Sequence, residues 1–180
     1  MNKKKIIIIS GKQFSGKDTV AATIRDTLKN FKIVPLAEEI KKLFGQSKNL
    51  TVSQIDRNKP LYRADLIVVG NKFRSQDPDY WINQVLRAEG DIIVPDVRLK
   101  HELDTFKKLG AVTIRVNSER DVRAHRGILV SEDDTTETDL DRIKKWDYVI
   151  ENNDDVESLK EKAREIAESI EHELFSGTNK

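Results

Sequence analysis

Ile6-Ile7-Ile8-Ile9, preceded by Lys3-Lys4-Lys5 and stopped by Ser10-Gly11, is a β-branched run with no polar face. Such a run predicts a strand inside a parallel sheet that helices cover on both sides. After Gly16 the period changes. Val20, Ile24, Thr27 and Leu28 recur at helical spacing, and the helix is expected to end near Asn30. Phe31 to Leu36 reads as a second short strand, and Ala37 to Phe44 as a short helix closed by Gly45 as its C-cap. Gln46 to Asn58 is polar and weakly patterned, a mobile excursion that admits a short helix. Helical patterns run from Pro60 to about Val69 and from Pro78 to Ala88, with Pro78 in a first turn, where proline is tolerated.

Asp91 to Asp96 is a third strand, ending in a carboxylate. A helix over Leu99 to Leu109 is ended by Gly110, a fourth strand covers Ala111 to Val116, and a fifth Asp147 to Ile150. The last helix carries one apolar stripe through Val156, Leu159, Ala163, Ile166, Ala167, Ile170 and Leu174, with Glu and Lys opposite, and residues 176–180 read as a disordered tail. Strands alternating with helices predict an α/β fold: a five-stranded parallel sheet with right-handed crossovers and helices on both faces. Ligands of such sheets bind at the carboxyl ends of the strands.

Composition narrows the chemistry. The 180 residues fit one domain, 1–180, which buries roughly 70% of its unfolded surface. Lys and Arg number 32 against 31 Asp and Glu, so no single sign of charge is available for a nucleic-acid polymer or a polybasic membrane contact. The chain has no cysteine, which removes disulfides, thiolate catalysis and Cys-ligated metals, and three scattered histidines make a His-ligated metal a poor expectation. The four-isoleucine run is far short of the ~20 residues that span a bilayer. The expectation is a soluble cytoplasmic protein.

Gly11-Lys12-Gln13-Phe14-Ser15-Gly16-Lys17 is G-x-x-x-x-G-K between a strand and an amphipathic helix, the context of a phosphate-binding loop. Its backbone N–H groups and the following helix N-terminus attract a polyphosphate, and Lys17 reaches the β- and γ-oxygens. Gly11, Lys12, Ser15, Gly16, Lys17, Asp18 and Thr19 are thus the expected nucleotide contacts. Asp18 stands where Ser or Thr usually binds magnesium. A carboxylate is a hard oxygen ligand, suited to the metal directly or through water. A GTPase reading fails: Arg74 occupies the aspartate position of the nearest N-K-x-D, Asn71 to Arg74, and no D-x-x-G occurs.

With these segments in view the chain resembles the P-loop small-molecule kinases, and among them the phage-type deoxynucleoside monophosphate kinases and the animal-type phosphomevalonate kinases. The resemblance rests on Gly16-Lys17-Asp18, Leu36-Ala37 with Lys41, Tyr62-Arg63, Gly70 and Arg74, Asp77-Pro78, Val94 to Arg98, Arg123 with Arg126-Gly127, Glu137, and Asp147 to Asn152. It implies the three-layer P-loop NTPase fold with a small lid, ATP as co-substrate and Mg2+ as cofactor. Val-Pro-Asp-x-Arg followed by His101-Glu102 resembles the nucleotide kinases. The Arg63-to-Asp77 spacing and the Asp-Tyr-Val-Ile-Glu-Asn ending resemble the phosphomevalonate kinases. The expected reaction is γ-phosphoryl transfer to a phosphate monoester, foremost a (deoxy)nucleoside monophosphate, with phosphomevalonate as the alternative acceptor. A non-catalytic nucleotide-binding or regulatory ATPase module is the reading from another class.

Such a transfer brings several negative charges together, so arginines and lysines at the strand ends are the expected catalysts. Arg98, past the third strand, suits the acceptor phosphate or the transferred group. Asp96 suits a magnesium-bound water, the acceptor, or the N-cap of the helix from Leu99. Lys41, Arg63 and Arg74 form an acceptor wall within about 37–88, where Tyr80 or Trp81 could stack on a base or belong to the core. Arg123 and Arg126 would close from a lid over about 120–140. Asn152, after the last strand, falls where adenine packs. The partners expected are a small-molecule acceptor and, for the protein itself, a monomer or homodimer, with no polymer and no membrane.

Overall fold

The structure is a computed structural model that describes residues 3–176, with side chains to 173. Five parallel strands lie in the order β2-β3-β1-β4-β5, where β1 is Ile6–Ser10, β2 Phe31–Ile33, β3 Asp91–Val94, β4 Val112–Asn117 and β5 Tyr148–Glu151. The helices are α1 (Lys17–Leu28), α2 (Leu36–Lys48), α3 (Val52–Arg57), α4 (Lys59–Arg74), α5 (Tyr80–Leu86), α6 (Lys100–Lys108), α7 (Arg120–Arg126), α8 (Thr135–Thr138) and α9 (Val156–Ser176). No helix among the described residues is long and apolar enough to cross a membrane.

The isoleucine run explains the three layers. Side chains alternate along a strand, so Ile7 and Ile9 pack with Val20, Ile24, Ala163 and Ile170 of α1 and α9. Ile6 and Ile8 pack on the opposite face with Ile40, Trp81, Leu103 and Phe106 of α2, α5 and α6. β1 is the central strand, with Ile7 opposite Ile93 of β3 and Val112 of β4. Truncating fully buried Ile8 to Ala would cost about 2–5 kcal/mol.

Differences from the sequence expectation have local causes. α2 runs through Gly45 and ends at Asn49, which adopts the left-handed conformation (φ 55°). Gly45 is required for close approach: a Cβ there would meet the Leu50 carbonyl at 2.3 Å. The polar excursion is the end of α2 plus α3, which Thr51 and Gln54 start with a reciprocal capping box. α4 continues past Val69 to Arg74 with Gly70 inside it, where a Cβ would stand 2.7 Å from Nη1 of Arg74. Pro78 precedes α5 in a turn that closes when the Tyr80 N–H reaches the Asp77 carbonyl. Of the expected tail, Ser176 ends α9, while residues 177–180 and the Leu174 side chain lie outside the described residues.

Candidate active site

The phosphate loop joins the carboxyl end of β1 to α1, and the packing around it dictates its glycines. Gly16 has a left-handed φ of 98°, and a Cβ there would stand 2.5 Å from Asn152 Nδ2. At Gly11 a Cβ would meet Ser15 Oγ at 2.3 Å and the Val116 carbonyl at 2.7 Å. Asn152 braces the loop from beneath: its Nδ2 donates to the Ser15 carbonyl (2.8 Å) and its N–H to Asn117 at the end of β4 (2.8 Å). Its side chain is therefore committed to the loop.

Lys17 is 6% exposed. Burial, reinforced by Arg98 and opposed by Asp18, lowers its pKa to about 7. It looks into a cavity of about 270 Å3 that Asp18, Thr19, Arg63, Arg98 and Arg126 also line. Asp18 is exposed there and takes no hydrogen bond or ion pair from the described residues. Lys12 is placed otherwise. Its ammonium turns to Asp141 (2.7 Å) and lines different hollows, so its side chain does not serve the cavity of Lys17.

A second, smaller cavity of about 70 Å3 adjoins the first, and Lys41, Arg74 and Asp96 are among its walls. Lys59, Arg63 and Arg98 line both. Asp96 and Arg98 follow β3, Thr136 comes from α8, and α2 and α4 supply the other walls. Lys41 pairs with Asp56 (2.6 Å), and Arg74 with Oε1 of Glu102 (3.0 Å). Burial, with Arg98 next in weight, lowers Arg63 to about 10. Lys59 is lowered by burial first and then by Lys41. Crowded, desolvated cations of this kind suit a site built for phosphate anions.

Several sequence-expected roles change. Asp96 does not cap the helix after Leu99. Its two oxygens accept the N–H groups of Leu36 and Ala37 (2.8 Å each) and so cap α2. Glu102 instead closes the start of α6, accepting the N–H groups of Arg98 (3.0 Å) and Leu99 (3.1 Å). Trp81 is 1% exposed and donates its indole N–H to the Gly70 carbonyl (3.1 Å), so it has no face for a base and belongs to the core. Arg123 is also buried, and its guanidinium donates to the carbonyls of Ser118 (3.2 Å) and Gln13 (3.3 Å). It braces the phosphate loop from behind instead of entering the cavity. Arg126 does line the cavity, and it ties the Phe14 carbonyl (3.3 Å) to those of Asn152 (3.2 Å) and Asp154 (3.3 Å). Sequence reasoning missed Lys59. Its signal was its position one turn before Arg63, on the same face of α4.

Comparison with known proteins bears on the family and the fold. A sequence profile of phosphomevalonate kinase matches residues 9–111, and one of deoxynucleotide monophosphate kinase matches residues 64–163. The chain belongs to the P-loop small-molecule kinases that these two profiles describe. A phosphomevalonate kinase of Drosophila melanogaster is 28% identical over 171 residues, covering 85% of this chain and 90% of that protein. Among solved structures, shikimate kinase from Aquifex aeolicus superposes with a TM-score of 0.56 at 19% identity, covering 94% of this chain and 98% of that one. The APS kinase CysC of Mycobacterium tuberculosis, in complex with AMPPNP and APS, gives 0.56 at 15% identity, covering 95% and 99%. These two likenesses confirm the kinase fold, with its parallel sheet between two helical layers.

Proposed function

We propose that this kinase transfers the γ-phosphoryl group of ATP to the phosphate of a small phosphate monoester. The observation that carries the reading is that Arg63, Arg98 and Lys59 line both cavities. A donor phosphate chain on Lys17 and the loop amides and an acceptor phosphate beside Lys41, Arg74 and Asp96 would meet at those three cations. An acceptor phosphate oxygen then forms a bond to the γ-phosphorus as the bond to the β-bridging oxygen breaks, and ADP leaves with that electron pair. Arg63, Arg98 and Lys59 hold the two anions together against their repulsion and offset the charge spread over the transferred group. Arg126 and the segment of about 120–140 exclude water as a competing acceptor.

Magnesium fits the donor side. Asp18 is an exposed, unpaired carboxylate beside Lys17, and a nucleotide-bound Mg2+ needs only one or two carboxylates. When bound, the ion screens the donor phosphates. Asp96, with both oxygens on α2 amides, is assigned to shaping the acceptor wall.

The acceptor cavity has aliphatic sides from Leu36, Ile40, Leu66 and Ile67 and no aromatic ring among its walls. That favours a phosphorylated aliphatic acceptor of the phosphomevalonate kind. The match to phosphomevalonate kinases, which spans the whole region 37–88, supports the same choice. A deoxynucleoside monophosphate is the second reading, favoured by the match from residue 64 onward and by Val94 to Arg98 with His101-Glu102. A coupled ADP-release assay with ATP, offering phosphomevalonate and the four dNMPs in parallel, decides between them. ATP hydrolysis with no phosphorylated product from any acceptor would instead assign a regulatory ATPase.

A further inference from the structure

Glu137 belongs to α8, a single helical turn, yet it is the meeting point of the site. Its side chain is 2% exposed. Oε1 accepts from Nη2 of Arg63 (2.8 Å) and from Nη1 of Arg98, and Oε2 accepts the backbone N–H of Gln13 in the phosphate loop (3.0 Å). The same two arginine nitrogens are shared with Thr136, Nη2 of Arg63 reaching its hydroxyl (3.1 Å) and Nη1 of Arg98 its carbonyl (3.3 Å). Each guanidinium is thus gripped by one nitrogen. The buried Nε of Arg63 has no partner among the described residues, and an unmade bond at a buried donor is costly unless a ligand completes it.

We propose that Glu137 is a positioning residue: it holds Arg63 and Arg98 at a fixed separation, registers both to the phosphate loop through Gln13, and leaves their remaining N–H groups for substrate phosphates. One carboxylate between two guanidinium groups leaves a net positive charge, so the pair stays attractive to an anion while its own repulsion is relieved. Three anchors on one carboxylate also couple the acceptor wall to the donor loop, the alignment that a reaction between two phosphates needs. A glutamine in its place keeps the shape but turns one acceptor oxygen into an NH2 donor, so either the arginines or the Gln13 N–H lose their acceptor. The inference rests on reading Arg63 and Arg98 as phosphate-binding groups.

The test is calorimetric titration of inorganic phosphate into protein saturated with AMPPNP, for wild type, Glu137→Gln, Arg63→Gln and the double variant. Glu137→Gln is expected to weaken phosphate roughly tenfold or more while AMPPNP affinity changes less than about threefold, and to add little once Arg63→Gln is present. Glu137→Asp, which keeps the charge but is a methylene shorter, serves if Glu137→Gln does not fold, and is expected to weaken phosphate in the same selective way. Unchanged phosphate affinity, equal losses for phosphate and AMPPNP, or losses that multiply fully across the cycle would overturn the proposal. So would wild-type protein that binds no phosphate beside AMPPNP. Should the cycle hold while no acceptor is phosphorylated, the catalytic reading fails and the positioning role of Glu137 stands.

Discussion

Gly127, the residue after α7, faces the ring of Phe14 so closely that a Cβ would stand 2.3 Å from both Cε1 and Cζ. Its φ of 173° is extended backbone, so the position asks for space and not for a special conformation. Phe14 sits in the phosphate loop at a left-handed φ of 57°, and its carbonyl is held by Arg126, the neighbour of Gly127. The contact therefore links the donor loop to the proposed lid. Gly127→Ala is expected to push the ring aside, raising the KM for ATP and lowering kcat several-fold. Thermal stability should fall by less than about 1 kcal/mol, because Phe14 is 38% exposed and its ring can yield. Adding Phe14→Ala to Gly127→Ala should return much of the lost ATP affinity. Steady-state kinetics on the three variants checks this, and an unaltered single variant would show that the contact is incidental.

Lys17 gives a pH signature. Its pKa in the free protein is about 7, through burial above all and then through Arg98. Bound phosphates favour the charged form, so ATP binding above pH 7 must take up a proton. ATP affinity is expected to fall by up to about tenfold per pH unit above pH 7. The heat of binding should then vary with the ionisation heat of the buffer. Lys17→Arg, charged throughout, should flatten the slope, while Lys17→Ala should abolish turnover with little loss of fold. The stability of the free protein runs the other way. The folded pKa lies below the ordinary value of 10.5, so the unfolded chain binds more protons between about pH 7 and 10.5, and this group makes stability rise with pH across that window. Denaturant titrations of wild type and Lys17→Met at pH 7 and 9.5 read that contribution directly.

What the chain discloses by itself divides along a physical line. The parallel sheet was legible because Ile6 to Ile9 are apolar at every position, and the phosphate loop because a loop with fixed backbone geometry needs its glycines at fixed spacing. Arg63, Arg98 and Lys41 could be named as charges near a strand end or on an acceptor helix. The partner of the two arginines could not, since Glu137 meets Arg63 and Arg98 from 74 and 39 residues away, nor could that of Arg74, which Glu102 meets from 28. Trp81 illustrates the ambiguity of an aromatic at a helix start. Only the carbonyl of Gly70, exposed by a glycine within α4, shows where its indole N–H is satisfied. The cap that Asp96 offers, beside its readings toward magnesium or the acceptor, points in sequence to the next helix, whereas α2 is brought to it in space by the pairing of β2 with β3.

Asp18 and Asp96 are expected to separate in their response to magnesium. Asp18→Asn removes an unpaired, exposed ligand beside Lys17, so the Mg2+ concentration for half-maximal rate should rise about tenfold with little change in thermal midpoint. Asp96→Ala removes the acceptor of two helix N-terminal N–H groups and should cost about 1–2 kcal/mol of stability. It should raise the KM for the acceptor and leave the Mg2+ dependence unmoved. Rate measurements across a Mg2+ series, with melting curves on the same samples, compare the two. A shifted Mg2+ midpoint in Asp96→Ala would return that residue to the metal.

Trp81 offers the sharpest separation of core from substrate site. Its ring is enclosed by Phe73 (5.3 Å between centroids, edge-on) and Tyr80 (4.8 Å), and its indole N–H is spent on Gly70. Trp81→Phe leaves the Gly70 carbonyl without that donor and shrinks a filled site, so destabilisation of about 1–3 kcal/mol is expected. Because the ring faces neither cavity, the KM for the acceptor and the ranking of acceptors in the substrate panel should stay within about twofold of wild type, the range of ordinary surface-scale effects. Denaturant unfolding and the coupled assay give the two numbers. A variant that keeps its stability but changes acceptor preference would place Trp81 on the substrate after all, and would reopen the case for a stacked nucleobase.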